Sequence, residues 1–326
     1  MNLLIVGGAG YIGSHIVINA IEREYNVTIF DDLSTGSIKN INNDAKFIKG
    51  TTLSNSDLSE LFENNNFDCV IQLAASKASG ESMLHPSNYA TNNIIGSLNL
   101  INYCATHGVK SFIFSSSAAV YGVPEYTPID ESHPLVPNNY YGHTKLMIEN
   151  NLMWFSKLKG MRYAALRYFN AAGYDIKKRI LGLENNPQNL IPIVMEVAIG
   201  LRKKIDIFGS DYSTKDGTGV RDYIHVADLA SAHLDTIDYI KREKKDLIIN
   251  LGTGGGHSVL DVVKKVQEIC NVSIKYEIKD RRRGDSDIVM ANSELAKNLI
   301  SWETKYSDLD TIINSTWSVY KSSFGK

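Results

Sequence analysis

The chain lacks the features that mark several large classes of protein. Among 326 residues it has three cysteines, Cys69, Cys104 and Cys270, widely spaced and without a CxxC pair. That pattern favours buried thiols in a reducing compartment over a disulfide framework or a metal site. No apolar run approaches the roughly 18 residues that a membrane helix needs. The first residues, Asn2-Leu3-Leu4-Ile5-Val6, read as a strand rather than the basic and apolar regions of a signal peptide, so a cytoplasmic protein is expected. An excess of one charge is missing too: 34 basic against 36 acidic residues leave a net −2. Neither nucleic acid nor an anionic membrane is an expected partner. Internal repeats and low-complexity tracts are absent. His143 and His225 have no second ligand at metal spacing, and no metal is expected.

What is present is an ordinary globular composition, 43% hydrophobic and 21% charged, long enough for two domains or one α/β body with a lobe. Apolar runs at 3–6, 27–30, 45–49, 68–74, 109–115 and 162–168 alternate with helical patterns from Ile12, over 57–63, over 88–107 and around Tyr141. Such alternation predicts a doubly wound parallel sheet of Rossmann type with right-handed crossovers. After Asn170 the pattern loosens. Asn185-Asn186-Pro187-Gln188-Asn189 is turn chemistry, followed by a helix over 190–200, a strand over 205–208 and a polar loop over 210–220. A strand over 222–226, a helix over 227–240 and a strand over 247–251 follow, the last expected to rejoin the first sheet. Ser258 reads as the N-cap of an amphipathic helix with Val259, Val262, Val263, Val266 and Ile269 on one stripe. The expected division is a dinucleotide-binding domain over 1–170, with segments near 222–252 returning to it, and a smaller C-terminal α/β substrate lobe over 171–326.

Strand, glycine turn and helix come together at Gly7-Gly8-Ala9-Gly10-Tyr11-Ile12-Gly13. Gly7 permits a sharp turn, Gly10 a close approach of backbone to phosphate, and Gly13 close packing of helix on strand. Asp31 closes the next strand, about twenty residues on, where an acid binds the adenosine ribose and repels a 2′-phosphate. That favours NAD over NADP as cofactor. Asp32 either shares this role or caps the loop.

In Tyr141-Gly142-His143-Thr144-Lys145, a tyrosine and a lysine four apart share a helix face. A nearby ammonium favours the phenolate and fits the tyrosine for proton transfer near neutral pH. The apolar run Phe114-Ser115-Ser116-Ser117 ends in hydroxyls, as a buried strand does where it opens on a site.

GGAGYIG, FDDLSTG, SSSAAVYG, YGHTK, RYFNAAG, DGTGVRDYIHV and RRRGD follow one another in an order that resembles the UDP-glucose 4-epimerase family of extended short-chain dehydrogenases. The resemblance spans nearly the whole chain. It implies that Tyr141 exchanges a proton with the sugar C4 hydroxyl while the C4 hydride passes to tightly held NAD. The 4-keto sugar then turns over and takes the hydride back on its other face. Lys145 would tune the tyrosine and hold the nicotinamide ribose, and Ser117 would bond the reacting oxygen. Carried over residue by residue, NAD contacts fall on Tyr11, Ile12, Asp31, Lys77, Asn92 and Phe169. UDP contacts fall on Asn170, Asn189, Leu190, Phe208, Arg221, Arg282 and Asp285. Paired guanidinium donors suit a diphosphate, whereas Arg281 and Arg283 read as solvated neighbours. Homodimers through the helices beginning near Asn88 and Asn139 are implied as well.

Some positions depart from the family. Thr51 stands where an aspartate usually meets the adenine, and Gln72 where histidine is common. Val289 replaces the bulky tyrosine of enzymes confined to UDP-glucose and UDP-galactose. A small residue there is the pattern of relatives that also accept UDP-N-acetylhexosamines. A nucleotide-sugar dehydratase or decarboxylase is the nearest alternative, but Ala118 and Ala119 lie where dehydratases carry an acid. A non-catalytic NAD-binding protein would be expected to lack Tyr141 or Lys145.

Overall fold

The computed structural model describes residues 1–184, 186–282 and 284–325; Asn185 of the expected turn and Arg283 of the arginine run lie outside the described residues. The first half supplies strands β1 (Asn2–Val6), β2 (Asn26–Asp31), β3 (Lys46–Lys49), β4 (Cys69–Gln72), β5 (Ser111–Ser115) and β6 (Arg162–Tyr168). The second half adds β7 (Asn170–Ala172), β8 (Ile205–Phe208), β9 (Val220–His225), β10 (Leu247–Leu251), β11 (Gly256–Ser258), β12 (Tyr276–Lys279) and β13 (Ile288–Val289). One seven-stranded sheet runs β10-β6-β5-β4-β1-β2-β3 with every pairing parallel.

Successive strand residues point to opposite faces. Leu3 and Ile5 therefore enter one buried cluster, Leu4 and Val6 another. Helices α1 (Tyr11–Glu22) and a later helix, Val226–Glu243, cover the first face with Ile16, Val17, Leu229, Leu234 and Ile237. On the second face α2 (Asn55–Glu63) brings Leu58 and Leu61. Each such side chain taken fully from water contributes about 1.5–3 kcal/mol. A strand covered on both sides must be apolar throughout.

The short helix α3 (Ser79–Leu84) is absent from the sequence expectation. The helix expected over 88–107 begins earlier and is irregular: α4 (Pro86–Tyr89) runs through a π-helical stretch, Ala90–Ile95, into α5 (Gly96–Thr106). Widened turns of this kind re-aim side chains, and this one carries Asn92 and Asn93. After it, α6 (Tyr140–Lys159) packs on the second face beside α5.

Beyond Phe169 the chain enters a four-stranded sheet of β7, β9, β11 and β13 and a separate β8–β12 pair. The strand expected over 222–226 is β9, which starts two residues sooner and belongs to this smaller sheet. The Val226–Glu243 helix and β10 that follow it lie against and within the large sheet. Phe169 alone separates β6 from β7. Taking the remaining helices in chain order, α7 (Leu190–Ile199), α8 (Val226–Glu243), α9 (Val259–Cys270), α10 (Glu294–Ile300) and α11 (Leu309–Phe324), the smaller unit's core is built by α7, α9 and α11. They contribute Ile191, Val194, Val262, Val263, Val266 and Ile312. A capping box opens α9: Ser258 accepts from the Asp261 amide, and the Asp261 carboxylate accepts from the Ser258 amide.

Cys69 and Cys104 are buried, whereas Cys270, at the end of α9, is only half-buried. Among the described residues no helix is long and apolar enough to cross a membrane, and no metal-ligating cluster exists.

Candidate active site

The strand order reverses at β1, between β2 and β4, and open α/β sheets hold ligands at such crevices. Gly7 lies there at φ 84°, and a Cβ on it would stand 2.7 Å from the Ala74 nitrogen. A Cβ on Gly13 would stand 2.2 Å from the Gly7 carbonyl oxygen. Gly10 precedes α1, whose first turn has no side-chain cap among the described residues. Its amides stay available to an anion.

Asp31, buried at the end of β2, accepts from the amides of Ala9 and Leu33, both at 2.9 Å. Burial raises its pKa and those two bonds oppose the rise. Asp32 is exposed and accepts from the Ser34 amide at 2.8 Å. Thr51 accepts from the Leu53 amide and donates its own amide to Asp57 at 3.0 Å. Lys77 pairs with Glu184, and Asn92 donates to the Ser76 hydroxyl at 3.2 Å. The Tyr11 hydroxyl donates to the Gly173 carbonyl, Ile12 lies half-buried beside it, and Phe169 is buried with Val120 and Tyr121. A glycine turn, an uncapped helix and a buried acceptor form a cradle that fits NAD.

The reactive group is set by backbone packing. Asn139 caps α6 through the Gly142 amide at 2.9 Å. A Cβ on Gly142 would lie 2.3 Å from the Ala119 carbonyl oxygen, so only glycine lets α6 close onto the 3-10 turn Ala118–Val120. Ser117 caps that turn, accepting from the Ala119 amide at 3.2 Å. The three serines divide the work. Ser115 offers its carbonyl to the Lys145 ammonium at 2.7 Å, Ser116 donates to Glu149, and Ser117 caps the turn at Ala118.

Lys145 is 3% exposed, and its nitrogen lies 5.7 Å from the Tyr141 ring centre. Burial brings its pKa down to about 7, against the pull of Glu149. Burial also raises the Tyr141 phenol, which the Ser117 hydrogen bond opposes. Desolvation of the phenolate thus dominates the setting of the Tyr141 phenol in this fold.

A cleft of about 230 Å³, open to solvent at its mouth, gathers Asn170, Asn189, Leu190, Phe208, Arg221, Arg282 and Asp285. Residues from three separate motifs thus meet at one place with Asn189, Leu190 and Phe208. Arg221 is fixed by the carbonyls of Val220 and Ser286, both at 2.9 Å, and stands 4.0 Å from Asp285. Arg282 stacks on Phe208 with its guanidinium carbon 3.8 Å from the ring centre. Asn189 precedes α7, which also begins without a side-chain cap among the described residues. Val289 does not line this cleft. It pairs with Arg221 through β13 and β9 and packs against the cluster of Val120, Ile129 and Phe169. His143 is exposed, whereas His225 caps α8 by accepting from the Ala227 amide.

Sequence reasoning missed several neighbours of the site. Glu149 had a signal, the spacing of four from Lys145 on one helix face. Glu184, Ser82, which accepts from the Tyr141 amide at 3.0 Å, and Tyr212 in the cleft had none.

Residues 3–252 match the NAD dependent epimerase/dehydratase family. The UDP-glucose 4-epimerase of Halalkalibacterium halodurans is 41% identical over 322 residues, covering 98% of this chain and 96% of that one. The UDP-glucose 4-epimerase of Brucella ovis, solved in complex with NAD, superposes with a TM-score of 0.95 at 39% identity over 98% of both chains. The UDP-Glc/GlcNAc 4-epimerase of Campylobacter jejuni superposes with a TM-score of 0.87, also at 39% identity, over 98% of this chain and 99% of that one. With the fold, the glycine cradle and full-length similarity in agreement, the chain belongs to the NAD dependent epimerase/dehydratase family.

Proposed function

We propose that the protein is a UDP-hexose 4-epimerase that uses NAD to interconvert UDP-glucose and UDP-galactose, and that it also acts on UDP-GlcNAc and UDP-GalNAc. The observation that carries this reading is buried Lys145 one turn from Tyr141 on α6, beside the turn that Ser117 caps, with a cleft lined by two arginines in the same chain. Gly7, Gly10, Gly13, Tyr11, Ile12, Asp31, Asp32, Thr51, Lys77, Asn92 and Phe169 are the residues we assign to NAD. When bound, NAD supplies acceptance and return of the C4 hydride. Tyr141 takes and returns the hydroxyl proton, and Ser117 holds the reacting oxygen. Lys145 contributes positive charge behind the phenol. Arg221 and Arg282 hold the diphosphate, Phe208 stacks on the base, and Asn170, Asn189, Leu190 and Asp285 complete the nucleotide contacts. Val289 leaves room for an N-acetyl group.

Residues 1–170 with α8 and β10 then form the dinucleotide-binding unit, and most of 171–326 the UDP-sugar lobe. A homodimer through the helices beginning near Asn88 and Asn139 is supported by exposed Ile95 on the first and by exposed Trp154 and Leu158, one turn apart, on α6. The unpaired thiols suit a cytoplasmic location.

Purified protein given UDP-galactose and UDP-N-acetylgalactosamine without added NAD is expected to convert both. Conversion of UDP-galactose alone would remove the broad specificity. Silence on both, even with NAD supplied, would remove the function.

A further inference from the structure

Five of the six residues of α3 are exposed, Met83 and Leu84 at 61% and 76% among them. The helix therefore adds no buried apolar side chain to the core. Its one buried residue is Ser82, fully out of solvent. The Ser82 hydroxyl donates to the Ser79 carbonyl at 2.6 Å and accepts from the Tyr141 amide at 3.0 Å. What α3 puts into the interior is thus one polar side chain, bonded to the backbone of the proposed base.

A helix begins with amides that its own carbonyls cannot serve. In α6 the Asn139 side chain serves that of Gly142. The two amides before it are served by α3: Tyr140 donates to the Met83 sulfur at 3.3 Å, and Tyr141 to Ser82. The Tyr141 carbonyl is held as well. It accepts from the Thr144 hydroxyl at 2.7 Å, and that hydroxyl accepts from Asn93 at 3.1 Å. Asn93 in turn clasps the Ser76 backbone, accepting from its amide at 2.8 Å and donating to its carbonyl at 3.0 Å. Both backbone polar groups of Tyr141 therefore lead back to one short stretch, Ser76 to Ser82, and that stretch carries Lys77.

We propose that Ser82 is a positioning residue for proton transfer by Tyr141. Through the Tyr141 amide it fixes the phenol relative to the loop assigned to the cofactor, and α3 is the rod between them. This rests on the epimerase reading of Tyr141. Ser82 touches neither substrate nor cofactor and acts only through the tyrosine. Placement matters because an error of about 1 Å at a reacting group can cost on the order of a hundredfold in rate.

The test compares wild type with Ser82→Ala and Ser82→Thr, well below their melting temperatures, with UDP-galactose as substrate and bound NAD measured per chain. Ser82→Ala should lose about tenfold to a hundredfold in turnover per bound NAD, with KM unchanged. Its affinity for UDP should also hold, because the arginine-lined cleft is built from other elements. Ser82→Thr keeps the hydroxyl and should restore most of the rate. Ser82→Gly, which leaves room for water at the freed amide, carries the same test if the alanine variant does not fold. A serine that served stability alone would lower the melting temperature and leave turnover per bound NAD as it was; that result would overturn the proposal. So would a folded, NAD-loaded threonine variant as slow as the alanine one, or a rise in KM that accounts for the loss. Wild-type protein without turnover, even with NAD supplied, would remove the epimerase reading and this proposal together.

Discussion

Glu149 stands one helix turn beyond Lys145 on α6 and grips Arg167 through both carboxylate oxygens, at 3.0 and 2.6 Å, all three side chains being buried. One carboxylate therefore serves both a charged guanidinium and an amine whose proton the dry interior disfavours.

That arrangement has a pH signature. Lys145 titrates near 7 in the fold and near its ordinary 10.5 when unfolded. Between those values the unfolded chain holds the proton and the native one releases it, so stability should rise with pH across this window. Lys145→Met should flatten the rise in urea midpoints measured from pH 7 to 10; an unchanged slope would mean that the amine titrates normally. Glu149→Gln should draw the amine lower still and move the high-pH limb of activity to lower pH. It should also cost about 3–5 kcal/mol, because Arg167 is left buried without its partner.

Gly142→Ala tests the closure of α6 on the Ser117 turn. In an open helix the change would stabilise by about 0.5–1 kcal/mol. Here the added methyl meets the Ala119 carbonyl, and a loss of about 1–3 kcal/mol is expected instead. Turnover should fall while KM for the UDP-sugar holds, since the nucleotide cleft lies elsewhere. A stabilised, fully active variant would show that the contact is not needed.

Val289→Tyr should abolish turnover of UDP-N-acetylgalactosamine and spare UDP-galactose. The partner-facing backbone of β13 is unaffected by the side chain, so the fold should hold. Parallel assays decide the matter: loss or survival of both activities together would sink the assignment.

Trp154→Glu with Leu158→Glu should convert a dimer to a monomer in light scattering at micromolar concentration. Both side chains are exposed on the single chain, so its melting temperature at high dilution should change little. A wild-type protein that runs as a monomer would remove the interface at the outset.

The sheet was legible because its strands are covered on both faces and so read as unbroken apolar runs, Leu3–Val6 being the plainest. The glycine turn and Asp31 were legible because close backbone approach leaves few residue choices. Less could be read where contacts join distant parts of the chain. Nothing near Glu184 in sequence announces Lys77, and the pairing of β9 with β7 rather than with the large sheet depends on where Phe169 turns the chain. The burial of the Tyr141 phenol was not legible for a related reason. Spacing on a helix shows which groups are neighbours, but not how much water the fold removes around them.

Phe169 is the whole connection between the last strand of the first run and the smaller sheet. Its amide is bonded to Leu251, and the fully buried Asp222 ties the loop after β10 to β13 through the amides of Thr253, Gly254 and Ala291. A joint of one residue, braced on both sides, leaves little play between the walls that would hold cofactor and nucleotide. An epimerase must present both faces of one carbon to the same reagent. In a frame this stiff, that freedom has to reside in the ligand: the bonds about its diphosphate would act as the swivel, and the protein as the fixed bearing around them.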